Sequence, residues 1–258
     1  MNIPRVLIIS ALDPSGGAGL LMDVRAVTSA GAVGVGAVSA LTVQGPKGVR
    51  GVHPVAGEIL ASQIQTLVDE LPIMAVKIGA LGSPENVKAV SAFLHAYPNL
   101  PVVLDPVLKP THGVDLLPRE ALVELRKSLL DKVTLVTPNR DEAQELTGLE
   151  IKDTADMRKA GRALLEVMGR GEKWVLIKGG HLPGEPVDLL IGANQSKVFR
   201  GKRKPGEYRG TGCALASAIS AGLALGFPVP KAVARARRLL MRWMDRARPS
   251  AGTKHLIT

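Results

Sequence analysis

The chain has 258 residues, of which 46% are apolar, 22% are charged and one is cysteine. This length and composition are typical of one or two globular domains, and they exclude collagen-like and wholly disordered chains. One cysteine excludes an internal disulfide, and no Cys/His cluster has zinc spacing, so we expect a chain that folds on its hydrophobic core in the reducing cytoplasm.

The formal net charge of +10 would suit nucleic acid, a membrane surface, phosphorylated ligands or plain solubility. Much of the charge recurs at helical spacing between Lys231 and Arg246, opposite an apolar stripe, which indicates the solvated face of a packed helix. The low aromatic content of 3% argues against base stacking. Glycines interrupt the longest uncharged stretch, 26–46. We therefore expect neither a nucleic-acid nor a membrane partner.

Strand and helix signals alternate along the chain. Strands are predicted at 5–10, 33–43, 74–78, 101–104, 133–136 and 174–177, and a hairpin at 187–191 and 197–199. Helices are predicted at 18–30, 57–71, 83–97, 118–130, 139–146, 153–168, 211–225 and 230–246. This alternation, with strands that are apolar throughout, predicts a three-layer α/β/α fold with a mostly parallel central sheet, in a single domain over 1–258.

Chemically distinctive residues follow several predicted strands. They are Asp13, Gln44, Lys77-Ile78-Gly79, Asp105, Thr137-Pro138-Asn139 and Lys178-Gly179-Gly180-His181. Turn chemistry alone explains each of them singly. Parallel sheets bind ligands at the carboxyl ends of their strands, so the whole set favours a site there.

The strongest local signal is Gly210-Thr211-Gly212-Cys213, at the start of a predicted helix. A glycine turn that opens a helix aims free N–H groups at one point, which suits a phosphate. Tight packing of a helix of small residues is the alternative. At a helix N-terminus the pKa of the Cys213 thiol is expected to be lowered, although a lone cysteine is more often a small buried hydrophobe.

A second group combines Asn139, Glu142 and Lys178. Asn139 and Glu142 are three residues apart at a helix start and can face one ligand, such as Mg²⁺ with its waters beside phosphate oxygens. Lys178 can reach a phosphate as a point charge. Helix capping and a solvated lysine are the simpler explanations.

A glycine-rich stretch, 13–19, precedes a helix that carries Asp23. Glycines let the backbone approach a small ligand closely. We expect Asp23 and Gln44 to hold that ligand.

In series these motifs resemble the ribokinase family and, within it, the hydroxymethylpyrimidine/phosphomethylpyrimidine kinases of thiamin biosynthesis. The matching stretches are DPSGGAG (13–19) with Asp23, ALTVQ (40–44), KIGAL (77–81), LDPVL (104–108), TPNRDEA (137–143), KGGH (178–181) and GTGC (210–213). They occur in the family's order and cover roughly residues 5–225. A cysteine in GTGC is telling, since most of the wider family has aspartate there.

The resemblance implies transfer of the ATP γ-phosphoryl group to the hydroxymethyl oxygen of 4-amino-5-hydroxymethyl-2-methylpyrimidine, with a second transfer to the monophosphate in a bifunctional enzyme. It implies ATP and Mg²⁺ as cofactors and a homodimer as the assembly. The implied catalytic residues are Cys213, Lys178, Gly210 and Gly212, and the implied substrate contacts are Asp23, Gln44, Gly19, Ala80 and Val107. The implied ATP contacts are Asn139, Lys178, Thr211 and Gly212, and the implied Mg²⁺ ligands are Glu142 and Asp105.

The chain departs from the family pattern at 45–46, Ala80, 111–113 and 207–209, and after Arg248. These departures leave open whether the second phosphorylation is retained. Two alternatives also stay open: a pyridoxal or other small-alcohol kinase of the same fold, which Gln44 disfavours, and a ligand-sensing or nucleic-acid-binding relative without catalysis.

Overall fold

The computed structural model describes residues 3–110, 112–180, 185–250 and 252–258; the predicted site residue His181 and the departure at Thr111 lie outside them. The strands are β1 (Arg5–Leu12), β2 (Val33–Gly45), β3 (Gly48–Pro54), β4 (Ala75–Ile78), β5 (Val102–Leu104), β6 (Leu135–Val136), β7 (Trp174–Gly179), β8 (Val187–Gly192), β9 (Ser196–Arg200), β10 (Arg248–Ser250) and β11 (Thr253–His255). The helices are α1 (Gly19–Ser29), α2 (Gly57–Glu70), α3 (Pro84–Ala96), α4 (Arg119–Ser128), α5 (Arg140–Thr147), α6 (Thr154–Met168), α7 (Thr211–Ala224) and α8 (Val229–Arg246).

Nine strands form one sheet in the order β3-β2-β1-β4-β5-β6-β7-β8-β9. All pairings from β2 across to β7 are parallel, and Ile8 at the centre of β1 lies beside Gly36 of β2 and Lys77 of β4. Strands β3, β8 and β9 join the two edges in antiparallel pairings. The prediction of a mostly parallel sheet with a closing hairpin is confirmed.

Helices cover both faces of the sheet, because the strands are apolar on both sides. In β1, Leu7 and Ile9 pack into a core with helices α2 to α6. The alternate residues Val6 and Ile8 pack into a second core with α1, α7 and α8. This is the three-layer α/β/α fold that the alternating pattern predicts.

Helix starts follow local capping rules. The Ser83 side chain accepts a hydrogen bond from the Asn86 N–H at 3.2 Å, and Pro84 occupies the first turn of α3. Asp153 accepts from the Asp156 N–H at 2.9 Å and caps α6 in the same way. These caps place the helix boundaries within one or two residues of their predicted positions.

Two elements were not predicted from the sequence. Strand β3 contains two glycines and ends in proline, so it lacks an apolar run, and it forms as an edge strand against β2. The short hairpin β10–β11 follows α8 and pairs with the chain at Tyr208, beside the predicted anion loop. Both elements border the site described below.

The order in which successive strands are added to the sheet reverses between β1 and β4. Strand β2 lies on one side of β1 and β4 on the other, so the carboxyl ends of β1 and β4 flank a topological switch point. The ends of β5, β6 and β7 follow along the same edge. Among the described residues, no helix is both long and apolar enough to cross a bilayer.

Candidate active site

A cleft of about 320 Å³ lies at this edge of the sheet. The sequence-predicted residues that line it are Gln44, Asp105, Val107, Asn139, Glu142, Lys178, Gly210, Thr211, Gly212 and Cys213. They come from five separate stretches of the chain, so the fold brings the motifs together in one place. Asp23, Gly19 and Ala80 are not among the lining residues.

The glycine turn before α7 forms one wall of the cleft. Gly210 adopts the left-handed conformation (φ 69°), and a side chain there would come within 3.0 Å of the Gly17 carbonyl oxygen. Helix α7 begins at Thr211, so its first N–H groups, which have no partner inside the helix, lie at the cleft. The helix dipole adds positive potential, and the arrangement can bind an anion.

Lys178, at the end of β7, is the cation beside this wall. Its Nζ lies 2.9 Å from Asp105 Oδ1 and 4.0 Å from Glu142 Oε2. A Cβ atom on Gly212 would lie 3.2 Å from the same Nζ, so the absence of a side chain at Gly212 lets the anion loop approach the ammonium. Lysine and loop N–H groups thus converge on one small volume.

The pKa values of the two carboxylates beside Lys178, Glu142 and Asp105, are shifted in opposite directions. Burial raises the pKa of Glu142 to about 7, although Lys178 opposes the change. Burial would also raise the pKa of Asp105, but the charges of Lys178 and Lys77 outweigh it and hold that pKa below its usual range. Thr137 also donates a hydrogen bond of 3.2 Å to Asp105. At neutral pH Asp105 is ionised and Glu142 is poised between its two forms.

Asn139 and Glu142 form a capping box at the start of α5. The Asn139 side chain accepts from the Glu142 N–H at 2.9 Å, and the Glu142 carboxylate accepts from the Asn139 N–H at 2.7 Å. The helix-capping explanation for Asn139 and Glu142 is therefore confirmed. It also holds Glu142 at the cleft, where its carboxylate faces Lys178.

The donor set fits a hard divalent cation that keeps most of its waters. Asp105 and Glu142 supply carboxylate oxygens at the cleft, which are ligands that Mg²⁺ accepts in small number. The described part of the chain contains no group of three or more His, Cys, Asp or Glu side chains that could hold a metal ion. A cation here would thus need water and ligand phosphate oxygens to complete its coordination.

The environment of Cys213 corrects one expectation. The side chain reaches the cleft, but burial raises the pKa of its thiol to about 12. The charge of Lys77 and a hydrogen bond from the Gly19 N–H favour the thiolate, yet they do not overcome burial. The expected lowering by the helix N-terminus is wrong for this protein, and the resting thiol is neutral.

The position of Asp23 corrects a second expectation. Asp23 is fully buried, and its carboxylate accepts hydrogen bonds from Lys77 Nζ at 2.6 Å and from Ser217 Oγ at 2.8 Å. Both oxygens are thus engaged within the protein. Asp23 does not line the cleft but lies in the core behind it.

Gly19 and Ala80 also do not line the cleft. A side chain on Gly19, whose φ is 58°, would collide with the Ala11 carbonyl oxygen. Ala80 is buried, and its carbonyl accepts a hydrogen bond of 2.6 Å from Ser39. Close packing explains why Gly19 has no side chain. Substrate contacts of Gly19 and Ala80 stay a prediction.

Gln44 and Val107 line the part of the cleft away from Lys178, near the turn between β2 and β3. Thr42 Oγ1 lies 2.9 Å from the Leu12 carbonyl oxygen and can also donate its one proton to Gln44 Oε1, at 3.1 Å. This contact orients the carboxamide at the cleft. Val107 adds an apolar surface beside it.

Two charged residues at the site were given no individual role from the sequence. Lys77 was noted only as part of a motif, and nothing in the sequence indicates its complete burial. Arg209 lines the cleft directly before the anion loop and donates to Asp13 Oδ2 at 3.1 Å. An arginine next to a glycine turn is a weak signal, because its partner is distant in the chain.

The chain matches known proteins over nearly its whole length. The family described as phosphomethylpyrimidine kinase matches residues 13–257. The hydroxymethylpyrimidine/phosphomethylpyrimidine kinase of Streptomyces coelicolor is 40% identical over 235 residues, covering 91% of this chain and 86% of that protein.

Solved structures agree with the sequence match. The crystal structure of phosphomethylpyrimidine kinase from Clostridium difficile has a TM-score of 0.81 and 37% identity, covering 93% of this chain and 99% of that one. Pyridoxal kinase from Staphylococcus aureus, solved with AMP-PCP and pyridoxal, has a TM-score of 0.89 but 26% identity, covering 100% and 94%. The higher sequence identity to the pyrimidine kinases, together with the family match, shows that this chain is a kinase and belongs to the phosphomethylpyrimidine kinase family.

Proposed function

We propose that this protein transfers the γ-phosphoryl group of ATP to the hydroxymethyl oxygen of 4-amino-5-hydroxymethyl-2-methylpyrimidine, for thiamin biosynthesis or salvage. The observation that carries this proposal is the convergence of Lys178, the anion loop 210–213, Cys213 and Gln44 on one cleft. The first two suit a phosphate, and the last two suit an alcohol on a heteroaromatic ring.

The phosphate end of the cleft supports ATP as the donor. Lys178 and Asn139 would contact ATP phosphates, and the N–H groups at Thr211 and Gly212 would stabilise the phosphoryl group in transit. Phosphoryl transfer depends mainly on positioning and charge, which this wall supplies. The S. aureus kinase was solved with the ATP analogue AMP-PCP, which is consistent with this donor.

Asp105 and Glu142 would hold Mg²⁺ together with water and phosphate oxygens. When bound, the ion would neutralise charge on those oxygens. Lys178 lies within 4.0 Å of both carboxylates, so the residues themselves keep the carboxylates and the lysine within reach of the same phosphate.

At the other end of the cleft, Gln44 would both donate to and accept from the edge of the aminopyrimidine, with Val107 against the ring. The hydroxymethyl group would then face Cys213. In the transfer, the bond from the γ-phosphorus to the bridging oxygen breaks as the substrate oxygen bonds to phosphorus. ADP leaves, and the hydroxyl proton passes to the sulfur of Cys213, which would first lose its own thiol proton to water.

Pyridoxal is the second candidate substrate, supported by the fold match to the S. aureus enzyme solved with pyridoxal. The higher identity to the pyrimidine kinases and the carboxamide of Gln44 favour the aminopyrimidine. Phosphorylation of the monophosphate as a second step, a homodimeric assembly, a single domain and a cytoplasmic location all remain part of the proposal.

A coupled assay of ADP release tests the activity. We expect magnesium-dependent ADP release with the hydroxymethylpyrimidine, and ³¹P NMR should show a new phosphomonoester. A folded protein that releases no ADP with this alcohol or with its monophosphate would overturn the proposal. Running the two substrates separately shows whether one or both phosphorylations occur.

A further inference from the structure

Lys77 is a charged residue in the protein interior. It lies on the interior strand β4 between the buried residues Val76 and Ile78, and its side chain has 0% exposure. Burying an ammonium group costs free energy unless the group is paired, so its neighbours must explain how Lys77 is stabilised.

Lys77 belongs to a closed polar group. Its Nζ lies 2.6 Å from Asp23 Oδ2, and Ser217 donates to Asp23 Oδ1 at 2.8 Å. Burial would lower the pKa of Lys77, but the charges of Asp23 and Asp105, joined by that of Cys213 when its thiol is ionised, raise it above the usual range. The pKa of Asp23 is raised as well, because burial outweighs the opposing effects of Lys77 and Ser217. The 2.6 Å contact between the ammonium and the carboxylate is that of an ion pair, with Lys77 charged at neutral pH.

This group lies directly behind the anion loop. Ser217 follows Cys213 by four residues on α7, which is one helical turn on the same face. A Cβ atom on Gly79 would lie 2.7 Å from Lys77 Nζ, so that glycine makes room for the ammonium at the carboxyl end of β4. The lysine thus reaches towards the cleft edge of the sheet and not into the middle of a core layer.

The charges around Cys213 come from four elements. Lys77 of β4 favours the thiolate, whereas Asp23 of α1 and Asp105 beyond β5 oppose it. Lys178 of β7 also interacts with the sulfur. Ser217 ties the Lys77–Asp23 pair to the same face of α7 as Cys213, which places the pair beside the thiol. Of its two charges, Lys77 acts more strongly on the sulfur than Asp23 does.

Stability alone is a poor reason for this arrangement. Replacing a buried ion pair by apolar residues of similar volume is often neutral or stabilising. We propose that Lys77 is a positioning residue, held by Asp23 and Ser217, which places a fixed positive charge beneath Cys213 and favours negative charge on its sulfur. The catalytic consequence rests on the proposed kinase function, whereas the effect on the thiol does not.

Alkylation of the thiol tests the inference without any substrate. Cys213 is the single cysteine, so the rate of reaction with iodoacetamide between about pH 7 and 11 reports on it alone. The double variant D23N/K77M removes both charges and keeps an acceptor for Ser217. We expect a rate about tenfold lower at each pH below the thiol pKa, equivalent to a pKa rise of about one unit.

The matched control is K197M, which removes an exposed lysine from β9 and should leave the alkylation profile unchanged. A double variant with native melting behaviour and the wild-type profile would overturn the inference. A second measurement uses the wild-type protein: a buried charged lysine should give a slowly exchanging ammonium signal in ¹H–¹⁵N NMR at pH 8. A spectrum without that signal would also overturn it.

The kinase assay adds a readout of catalysis. With the pyrimidine as substrate, D23N/K77M should lower kcat at unchanged KM, and the rise of kcat with pH should move to higher pH. A changed KM with an unmoved pH profile would contradict the positioning role. If the wild-type protein phosphorylates no pyrimidine but the alkylation rates differ as expected, the proposed function fails and the inference about Lys77 stands.

Discussion

The guanidinium of Arg209 donates a hydrogen bond of 3.1 Å to the carboxylate of Asp13, joining two loops that lie 196 residues apart in the chain. Asp13 also accepts from the Ser15 N–H at 2.9 Å and the Ala18 N–H at 3.0 Å, and so organises the glycine loop. The bond therefore ties that loop to the segment that leads into the anion loop at Gly210.

We predict that R209Q lowers kcat/KM for the pyrimidine, because the two loops lose their tie. A hydrogen bond between charged groups contributes about 2 kcal/mol, which corresponds to roughly a thirtyfold loss. R209K should recover part of the activity. The control R242Q removes an exposed arginine of α8 and should leave kcat/KM unchanged in the same steady-state assay. Equal activity in R209Q and the wild type would exclude a role for the tie.

Substitutions at Gly210 and Gly226 separate strain from function. Both residues have positive φ, at 69° and 79°, but a side chain on Gly226 meets nothing within 4 Å. We expect G226A to cost about 1 kcal/mol of stability and no activity. G210A should cost more stability and lower kcat about a hundredfold, because the N–H groups of the loop are displaced. Thermal melts and kcat together check this, and an active G210A would contradict the anion-loop assignment.

The raised pKa of Glu142, about 7, predicts that Mg²⁺ dependence varies with pH. Below this pKa the carboxyl group is protonated and is a poor cation ligand. The Mg²⁺ concentration needed for half-maximal rate should therefore fall as the pH rises from about 6 to 8. E142Q should need more Mg²⁺ and lose this trend, whereas D141N, at the exposed neighbour, should keep it. A wild-type Mg²⁺ requirement that is flat over this range would count against Glu142 as a ligand.

The same pKa affects stability in the absence of metal. The unfolded chain ionises Glu142 above its ordinary value of 4.5, whereas the folded protein keeps it protonated up to about 7. This contribution to stability is fully present below pH 4.5 and is lost as the pH rises through about 7. E142Q should flatten the fall in Tm across that interval. A parallel fall in E142Q and wild type would place the titrating group elsewhere.

Cys213 is predicted to act in catalysis and not in binding. C213A should lower kcat about a hundredfold while KM stays close to the wild-type value, since a general base contributes on that scale. Because the thiol pKa is raised to about 12, the thiolate fraction and wild-type kcat should still be rising at pH 9. An unchanged kcat in C213A would remove the cysteine from the chemistry.

The sequence predicted the fold well, because apolar runs and caps such as Ser83 and Asn139 determine local structure. Strand β3 was missed, because its stability comes from pairing with β2 and not from an apolar pattern of its own. The same holds for β10–β11, which are held by contacts with each other and with Tyr208.

The sequence also predicted that most of the cleft residues would lie close together, since the carboxyl ends of parallel strands meet at one edge of the sheet. It could not predict burial of charges. Asp23 was expected to contact the ligand, but its carboxylate pairs with Lys77. That lysine is 54 residues away in the chain. The direction of the pKa shift of Cys213 likewise depends on the surrounding packing, which no local motif encodes.

The central claim is that the cleft selects the aminopyrimidine alcohol. The most direct measurement is a competition assay with equimolar hydroxymethylpyrimidine and pyridoxal, ATP and Mg²⁺, in which mass spectrometry follows both phosphorylated products. We predict that the pyrimidine phosphate forms faster and that Gln44→Ala reduces this preference. Faster formation of pyridoxal phosphate, or no phosphorylated pyrimidine, would contradict the account.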